Sequence, residues 1–311
     1  MNNNKEKQRE YKKVCCPNCN SHSVVKRGLR QTENRGKIQR FGCNDCGKRF
    51  VQDDGFFRMR NNPQKITLCL DLFYRGVSTR KVQEHLQAFY PHNSSHKTIY
   101  EWVIKYAQKI SKFTDNLKLN VGKELQIDEM EYGRRKHHRR KGVDRNWFID
   151  AIDCQTRFMV SSEYVKQRKQ KEIKKVLARA KKNTSEQFKI ISSDGLLAYP
   201  RAVKSSFGYH RFQRGEIKHQ IINASKDEGF CIMIERLHNS IRERTKTFRG
   251  FHGSVESANS VMKGYEIFYN FIRKHQAIGK CPYELACPEF KEKLNEPNKW
   301  LSLIQLAKQN N

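Results

Sequence analysis

The chain has no apolar run near the roughly 20 residues needed to cross a bilayer. Its first residues, MNNNKEKQREYKK, hold no apolar signal core. Membrane and secretory readings are therefore not expected, and a cytoplasmic protein is. Acidic residues are also short. Asp and Glu number 32 against 62 Lys and Arg, a net charge of +30 over 311 residues. The excess is spread from end to end rather than gathered in a tail, which points to a polyanionic partner. Neutralised phosphates release counterions and add affinity without reading sequence. Paired cysteine spacings are missing outside one place: five of the ten cysteines fall within residues 15–46 and the others are scattered singly. That distribution favours a metal site in a reducing compartment over disulfides.

The cysteine cluster reads Cys15-Cys16-Pro17-Asn18-Cys19, then Cys43-Asn44-Asp45-Cys46-Gly47, two C-x2-C pairs separated by 23 residues. Each such turn can aim two thiolates at one tetrahedral Zn2+. The double spacing selects Cys16, Cys19, Cys43 and Cys46, leaving Cys15 as a fifth thiol. Gly47 suits the left-handed position after a knuckle. Alternating stretches at 23–28 and 37–41 predict short strands, and the unit over residues 1–60 reads as a zinc ribbon. Four thiolates close the coordination shell, so this zinc is structural and does no chemistry.

Residues 61–115 predict three helices. Pro63 opens the first, Gly76 ends it, and Ser78 is a candidate N-cap for the second. The third begins near Ser95, and Ile99, Trp102, Val103 and Tyr106 recur on one face as core. Ser95, His96, Lys97 and Thr98 then lie at the N-terminal end, where the recognition helix of a helix-turn-helix meets DNA. A plain three-helix bundle is the alternative.

From residue 124 the pattern turns to strands, at 124–130, 147–153 and 158–162. A Lys- and Glu-rich helix at about 167–182 and a buried strand at 188–193 follow. Three antiparallel strands, a helix, a strand and a helix give a ribonuclease-H-like α/β layout. The fold class is thus multidomain α+β. In that layout Asp128 lies in the first strand and Asp194 at the end of its neighbour. Oxygen-only ligands there suit two Mg2+ (or Mn2+) ions and phosphoryl transfer. A third carboxylate is expected from a flanking helix. Glu235 qualifies, because Ile234, Leu237 and Ile241 make an apolar face beside it and Arg242 follows on its own face. Taken singly, Glu235 and Arg242 read as ordinary solvated helix charges.

Several stretches resemble one family. They are Ile127-Asp128-Glu129; Trp147-Phe148 with Ala151-Ile152-Asp153; and Ser193-Asp194-Gly195 running into Ala198-Tyr199-Pro200-Arg201-Ala202. Ile234-Glu235, Arg249-Gly250-Phe251 and the run from Phe268 to Ala277 complete the set. Together, over about 120–287, they are similar to the prokaryotic insertion-sequence DDE transposases of the "insertion sequence six" family. The resemblance implies that Asp128, Asp194 and Glu235 hold the catalytic metals and that Arg242 holds DNA phosphate. It also implies a replicative route with no covalent protein–DNA intermediate. Two features depart from the family pattern: Phe230-Cys231-Ile232-Met233 stands where the family often has Asn-Asn, and Glu235 lies 41 residues after Asp194. Glu228 is the alternative third acid.

The run Arg134-Arg135-Lys136-His137-His138-Arg139-Arg140-Lys141 follows Asp128. Such runs are usually solvated loops, but this one is placed to let Arg134, Arg135, Lys136, Arg139 and Arg140 grip the DNA backbone. His137 and His138 lack a further ligand at useful spacing. The expected protein cuts transposon ends to free a 3′-OH and joins it to target DNA. It would act as a homo-oligomer on double-stranded DNA in a prokaryotic nucleoid, with no small-molecule substrate. The expected domains are 1–60, 61–115, 120–275 and a helical tail at 276–311. A transposase-derived DNA-binding regulator without catalysis is the rival reading. An RNA-cleaving ribonuclease is weaker, because it does not require the N-terminal modules.

Overall fold

The computed structural model describes residues 14–33, 35–90, 94–135, 143–184, 188–207, 217–222, 231–246, 251 and 254–309, with backbone alone at 134–135 and 143–144. The chain separates into two compact units, 1–65 and 66–311. Among the described residues no helix is long and apolar enough to cross a membrane.

The first unit is a three-stranded antiparallel sheet of β1 (Val24–Thr32), β2 (Gly36–Cys43) and β3 (Arg49–Val51). Most side chains of β1 are exposed, so the sheet has no broad apolar face to hold it. Phe41 stacks on Phe50 at 5.8 Å. Most of the remaining order comes from two matching knuckles. In one, Asn20 N–H donates to Cys16 O at 2.9 Å; in the other, Gly47 N–H donates to Cys43 O at 3.1 Å. Both closing residues have positive φ, 57° and 68°. Asn and Gly are the residues that tolerate it best.

α1 (Pro63–Tyr74) runs across the boundary into the second unit, where α2 (Thr79–Phe89) and α3 (His96–Thr114) follow. Ser78 and Ser95 cap α2 and α3, accepting from Lys81 and Thr98 N–H. Gly76, at φ 110°, makes the turn between α1 and α2. The expected stripe of α3 is buried and continues through Ala107, Ile110 and Phe113. It packs on α7 (Val255–Ile267) and α9 (Lys299–Gln309). Tyr74 stacks on Trp300 at 5.4 Å, and Asn298 Nδ2 donates to Thr67 Oγ1 at 2.9 Å. α1 and α3 therefore share a core with the C-terminal helices, and α2 packs on α3.

The main sheet contains β4 (Glu124–Glu131), β7 (Trp147–Asp153), β8 (Met159–Val165), β9 (Ile190–Ser193) and β10 (Lys218–Ile221). A two-residue pair, β5 (Arg134–Arg135) and β6 (Val143–Asp144), forms a small hairpin between β4 and β7. The strand order is β10-β9-β4-β7-β8. β4, β7 and β8 are antiparallel, while β9 runs parallel to β4 and β10 parallel to β9. Helices cover both faces. Adjacent β8 residues show this directly: Ser161 Oγ donates to Val176 O of α4 (Gln170–Thr184), and Ser162 Oγ donates to Glu266 of α7. α5 (Ala198–Phe207) packs with α4, and α6 (Ile232–Thr245) packs on β4 and β7.

Two of the stretches behind the family resemblance are structural. Asp153 caps the β7–β8 turn, accepting from Gly122 N–H at 2.9 Å and Thr156 N–H at 2.7 Å. Asn270, in a π-helical turn at Phe268–Ile272, makes paired bonds to the Met159 backbone at 2.8 and 2.9 Å. α8 (Tyr283–Ala286) is a single turn that leads on toward α9.

Candidate active site and cysteine cluster

The parallel pairing of β4 and β9 brings two acids together. Leu125 and Gln126 pair with Ile191 and Ser192, so the parallel register sets Asp128, within β4, level with Asp194, the first residue past the end of β9. Glu129 joins them: Asp128, Glu129 and Asp194 each bring a carboxylate oxygen within 4.8 Å of the others. The first acid points toward the α6 side and the second toward α5, because successive strand residues alternate faces.

Asp128 Oδ1 accepts from the Glu129 N–H at 2.8 Å, and Asp194 Oδ1 from the Leu196 N–H at 3.0 Å. Glu129 is held at both oxygens. Tyr199 donates to Oε2, and Arg168 donates to Oε1 at 2.6 Å while lying 4.2 Å over the Trp147 ring. Burial pushes the Asp128 carboxyl up to about 7, with Glu129 and Asp194 adding to the rise and His238 opposing it. Burial also raises Glu129, against Tyr199 and Arg168. It raises Tyr199 well above the usual phenol range, and Glu129 adds to this, so that hydroxyl keeps its proton and donates. Acids this reluctant to ionise favour a divalent cation, which would relieve both the burial and the crowding.

Behind Asp128 lies a buried pair. Asp150 is its register partner on β7. His238 of α6 places Nε2 2.9 Å from Asp150 Oδ1 and Nδ1 3.6 Å from Asp128 Oδ2. Burial raises Asp150 against the pull of His238. Burial alone would lower His238, but Asp150 outweighs it and the imidazole is raised. The ring thus sits between the two carboxylates, its Nε2 bonded to Asp150.

Glu235 lies on α6 with its apolar face as expected: Ile234, Leu237 and Ile241 are buried and Glu235 is exposed. Its carboxylate is not part of the 4.8 Å cluster. Glu235 lies one helical turn after Cys231, whose thiol burial chiefly raises to about 12, with Asp128, Glu124, Glu235 and Asp194 adding to the rise. Arg242 is exposed and donates to Asn239 Oδ1 at 3.2 Å. The side chains of Arg134 and Arg135, and residues Lys136, His137, His138, Arg139, Arg140, Glu228, Arg249 and Gly250, lie outside the described residues.

At α3, Ser95 Oγ accepts from Thr98 N–H and sits 3.1 Å from Thr98 Oγ1, so both hydroxyls serve the cap. His96 is tied through N–H and ring to Gln83 Oε1 at 2.8 and 3.3 Å. Lys97 is exposed.

In the first unit the four selected sulfurs converge, all within 4.8 Å of one another. Cys16 and Cys46 are 3.5 Å apart, as are Cys19 and Cys43, while Cys15 stays exposed outside the group. A backbone N–H from Lys48 lowers the Cys46 thiol, while Cys19 is raised, against the pull of the Ser21 backbone, by the neighbouring sulfurs and burial.

Glu129, Asp150, His238, Gln126, Tyr199 and Arg168 carried no assigned role from the sequence. Asp150 offered a signal: an acid inside the apolar strand Trp147–Asp153 demands a buried partner.

Residues 143–276 match the family model described as a DDE domain, that of insertion-sequence transposases, and Asp194 and Glu235 fall inside the match while Asp128 precedes it. No curated protein matches the chain. Residues 143–276 therefore belong to the DDE domain family of insertion-sequence transposases.

Proposed function

We propose that this protein binds insertion-sequence ends, hydrolyses DNA there to free a 3′-OH, and joins that end to target DNA. The observation that carries the reading is the meeting of Asp128, within β4, and Asp194, just past the end of the parallel neighbouring strand β9, in a chain whose residues 143–276 match the DDE domain. Asp128, Asp194 and Glu235 are the residues that would hold two Mg2+ or Mn2+ ions, and the all-oxygen donor set fits those hard cations. When bound, the metals polarise the phosphate and lower the pKa of a coordinated water. The chain's own residues do the rest. Arg242, seven positions after Glu235 on the same helix face, is the residue for the adjoining phosphate. Tyr199 and Arg168 keep Glu129 fixed and its charge balanced beside the two aspartates.

The same reading assigns one Zn2+ to Cys16, Cys19, Cys43 and Cys46 as a structural ion of a ribbon. It gives α1–α3 the role of a helix-turn-helix that meets DNA at Ser95–Thr98. It treats the basic run from Arg134 to Arg140 as a DNA-backbone contact, and the working assembly as a homo-oligomer on DNA in the prokaryotic cytoplasm. The functional segments are then 1–60, 61–115, 120–275 and 276–311.

The test uses the full chain with Mg2+ and labelled duplexes carrying the sequence that flanks the gene. Nicking that leaves a 3′-OH at the terminal-repeat boundary supports the reading. Binding without nicking, in Mg2+ and in Mn2+, would replace it with a non-catalytic DNA-binding regulator.

A further inference from the structure

Glu235 depends on α6 for its place, and among the described residues α6 starts without a side-chain cap from its own N-cap position. Its N-cap residue, Cys231, makes no side-chain capping bond. The sheet supplies the missing acceptor. Gln126 Oε1, on β4, takes the N–H groups of Met233 at 2.9 Å and Ile234 at 3.2 Å, two of the donors that a helix start leaves unpaired. The Gln126 side chain is itself buried and fixed: its Nε2 donates to Glu124 Oε1 at 3.3 Å, and that oxygen accepts from Ser192 Oγ of β9 at 2.6 Å. One turn further along α6, His238 is fastened to Asp150 of β7 at 2.9 Å. Glu235 stands between the two fastened points, one residue after Ile234 and three before His238.

We propose that Gln126 and the Asp150–His238 pair are positioning residues that fix the roll and depth of α6, and so set where Glu235 meets the Asp128–Asp194 end of the sheet. The inference rests on Glu235 being the third metal ligand. Apolar contacts from Ile234, Leu237 and Ile241 are non-directional and leave a helix free to roll slightly. A roll of about 20° carries a carboxylate some 6 Å from the helix axis through about 2 Å. Metal ligation tolerates only about 0.2 Å. Two directional bonds from different strands, to points one turn apart, remove that freedom.

The test is Mn2+ binding to the full chain without DNA, read from the electron paramagnetic resonance of free Mn2+, with thermal melting alongside. Glu235→Gln is expected to weaken binding tenfold or more, and Gln126→Met and His238→Leu about tenfold each. Gln126→Met/Glu235→Gln should bind no worse than Glu235→Gln alone, because the pin acts through that carboxylate. Adding Cys231→Asn to Gln126→Met gives α6 a local cap. It should recover melting temperature but not Mn2+ affinity, since the tie to β4 stays broken.

Recovery of Mn2+ affinity by Cys231→Asn would reduce Gln126 to a helix stabiliser and overturn the proposal. So would affinity within twofold of wild type in Gln126→Met, or effects that multiply in the double variant. His238→Leu leaves Asp150 unpaired; should it fail to fold, the Gln126 series decides. If Glu235→Gln binds Mn2+ normally, the assignment of Glu235 falls and this inference falls with it. If only the pin variants bind normally, Glu235 stands and the inference alone fails.

Discussion

Asp150 stands directly across the β4–β7 ladder from Asp128, and the His238 ring lies between their carboxylates, 2.9 Å from the first and 3.6 Å from the second. The arrangement places a buried imidazole, held by Asp150, at one edge of the acidic cluster and Glu129 and Asp194 at the other.

That crowding has a measurable consequence for Asp128. Its carboxyl rises from the ordinary 3.8 to about 7 through burial, so ionising it in the metal-free fold costs stability. The cost is absent below about pH 4, grows as pH rises between the two values, and is complete above about 7. Asp128→Asn escapes it. Without metal, the variant should gain on wild type by about 1.4 kcal/mol per pH unit across that window, up to about 4 kcal/mol. Denaturant melts of both proteins from pH 5 to 8 measure this, and a difference that does not change with pH would contradict it. With saturating Mg2+ the order should reverse, since only wild type keeps the full ligand set.

Gly264 permits the close meeting of α1 and α7. A Cβ there would fall 1.8 Å from Tyr74 Oη and 2.4 Å from its Cζ. Alanine is ordinarily the better helix former by about 1 kcal/mol. Here Gly264→Ala should instead lower stability by about 1–3 kcal/mol through overpacking. Thermal or denaturant melting checks it, and a stabilised variant would show that α1 does not pack on α7 in this way.

Much of this was legible in the sequence. The paired C-x2-C spacing picked out the four sulfurs that converge. The runs at 124–130 and 147–153 located β4 and β7 closely, although helices on both sides of the sheet bury both faces of β7 and most of β4, so neither strand shows a clean period of two in its burial. The stripe of α6 was readable because only one face of that helix is buried, at period 3.6. What was not legible depends on contacts between distant elements. Nothing local marks Gln126 as the cap of a helix more than a hundred residues later. Glu129 was visible beside Asp128, but only the arrival of Tyr199 and Arg168 shows that it joins the cluster. The missing signal at α6 was the N-cap: Cys231 offers no capping bond, and the acceptor comes from the sheet.

Metal analysis of the purified full chain should find about one zinc per chain, because four sulfurs this close match a tetrahedral shell with sulfurs about 3.8 Å apart. Cys43→Ser should lose it, and Cys15→Ser should not. Retention of zinc in Cys43→Ser would displace the assignment.

Lys97 projects from the start of α3 while its neighbours are engaged in capping and in the bond to Gln83. Lys97→Ala should weaken binding of the full chain to terminal-repeat DNA and lower the slope of log affinity against log salt by about 1. An unchanged slope would remove this residue from the interface.

The central claim is that Asp128, Asp194 and Glu235 act as one metal-holding set. The most direct measurement is strand transfer of labelled end DNA in Mg2+ by wild type, Asp128→Asn, Asp194→Asn and Glu235→Gln, each first shown to be folded and to bind the DNA. Each single change should reduce transfer by about two orders of magnitude or more, and pairs of changes should cost little beyond the worst single one, because residues acting as a unit are not additive. Wild-type transfer in all three variants, with DNA binding intact, would contradict the account.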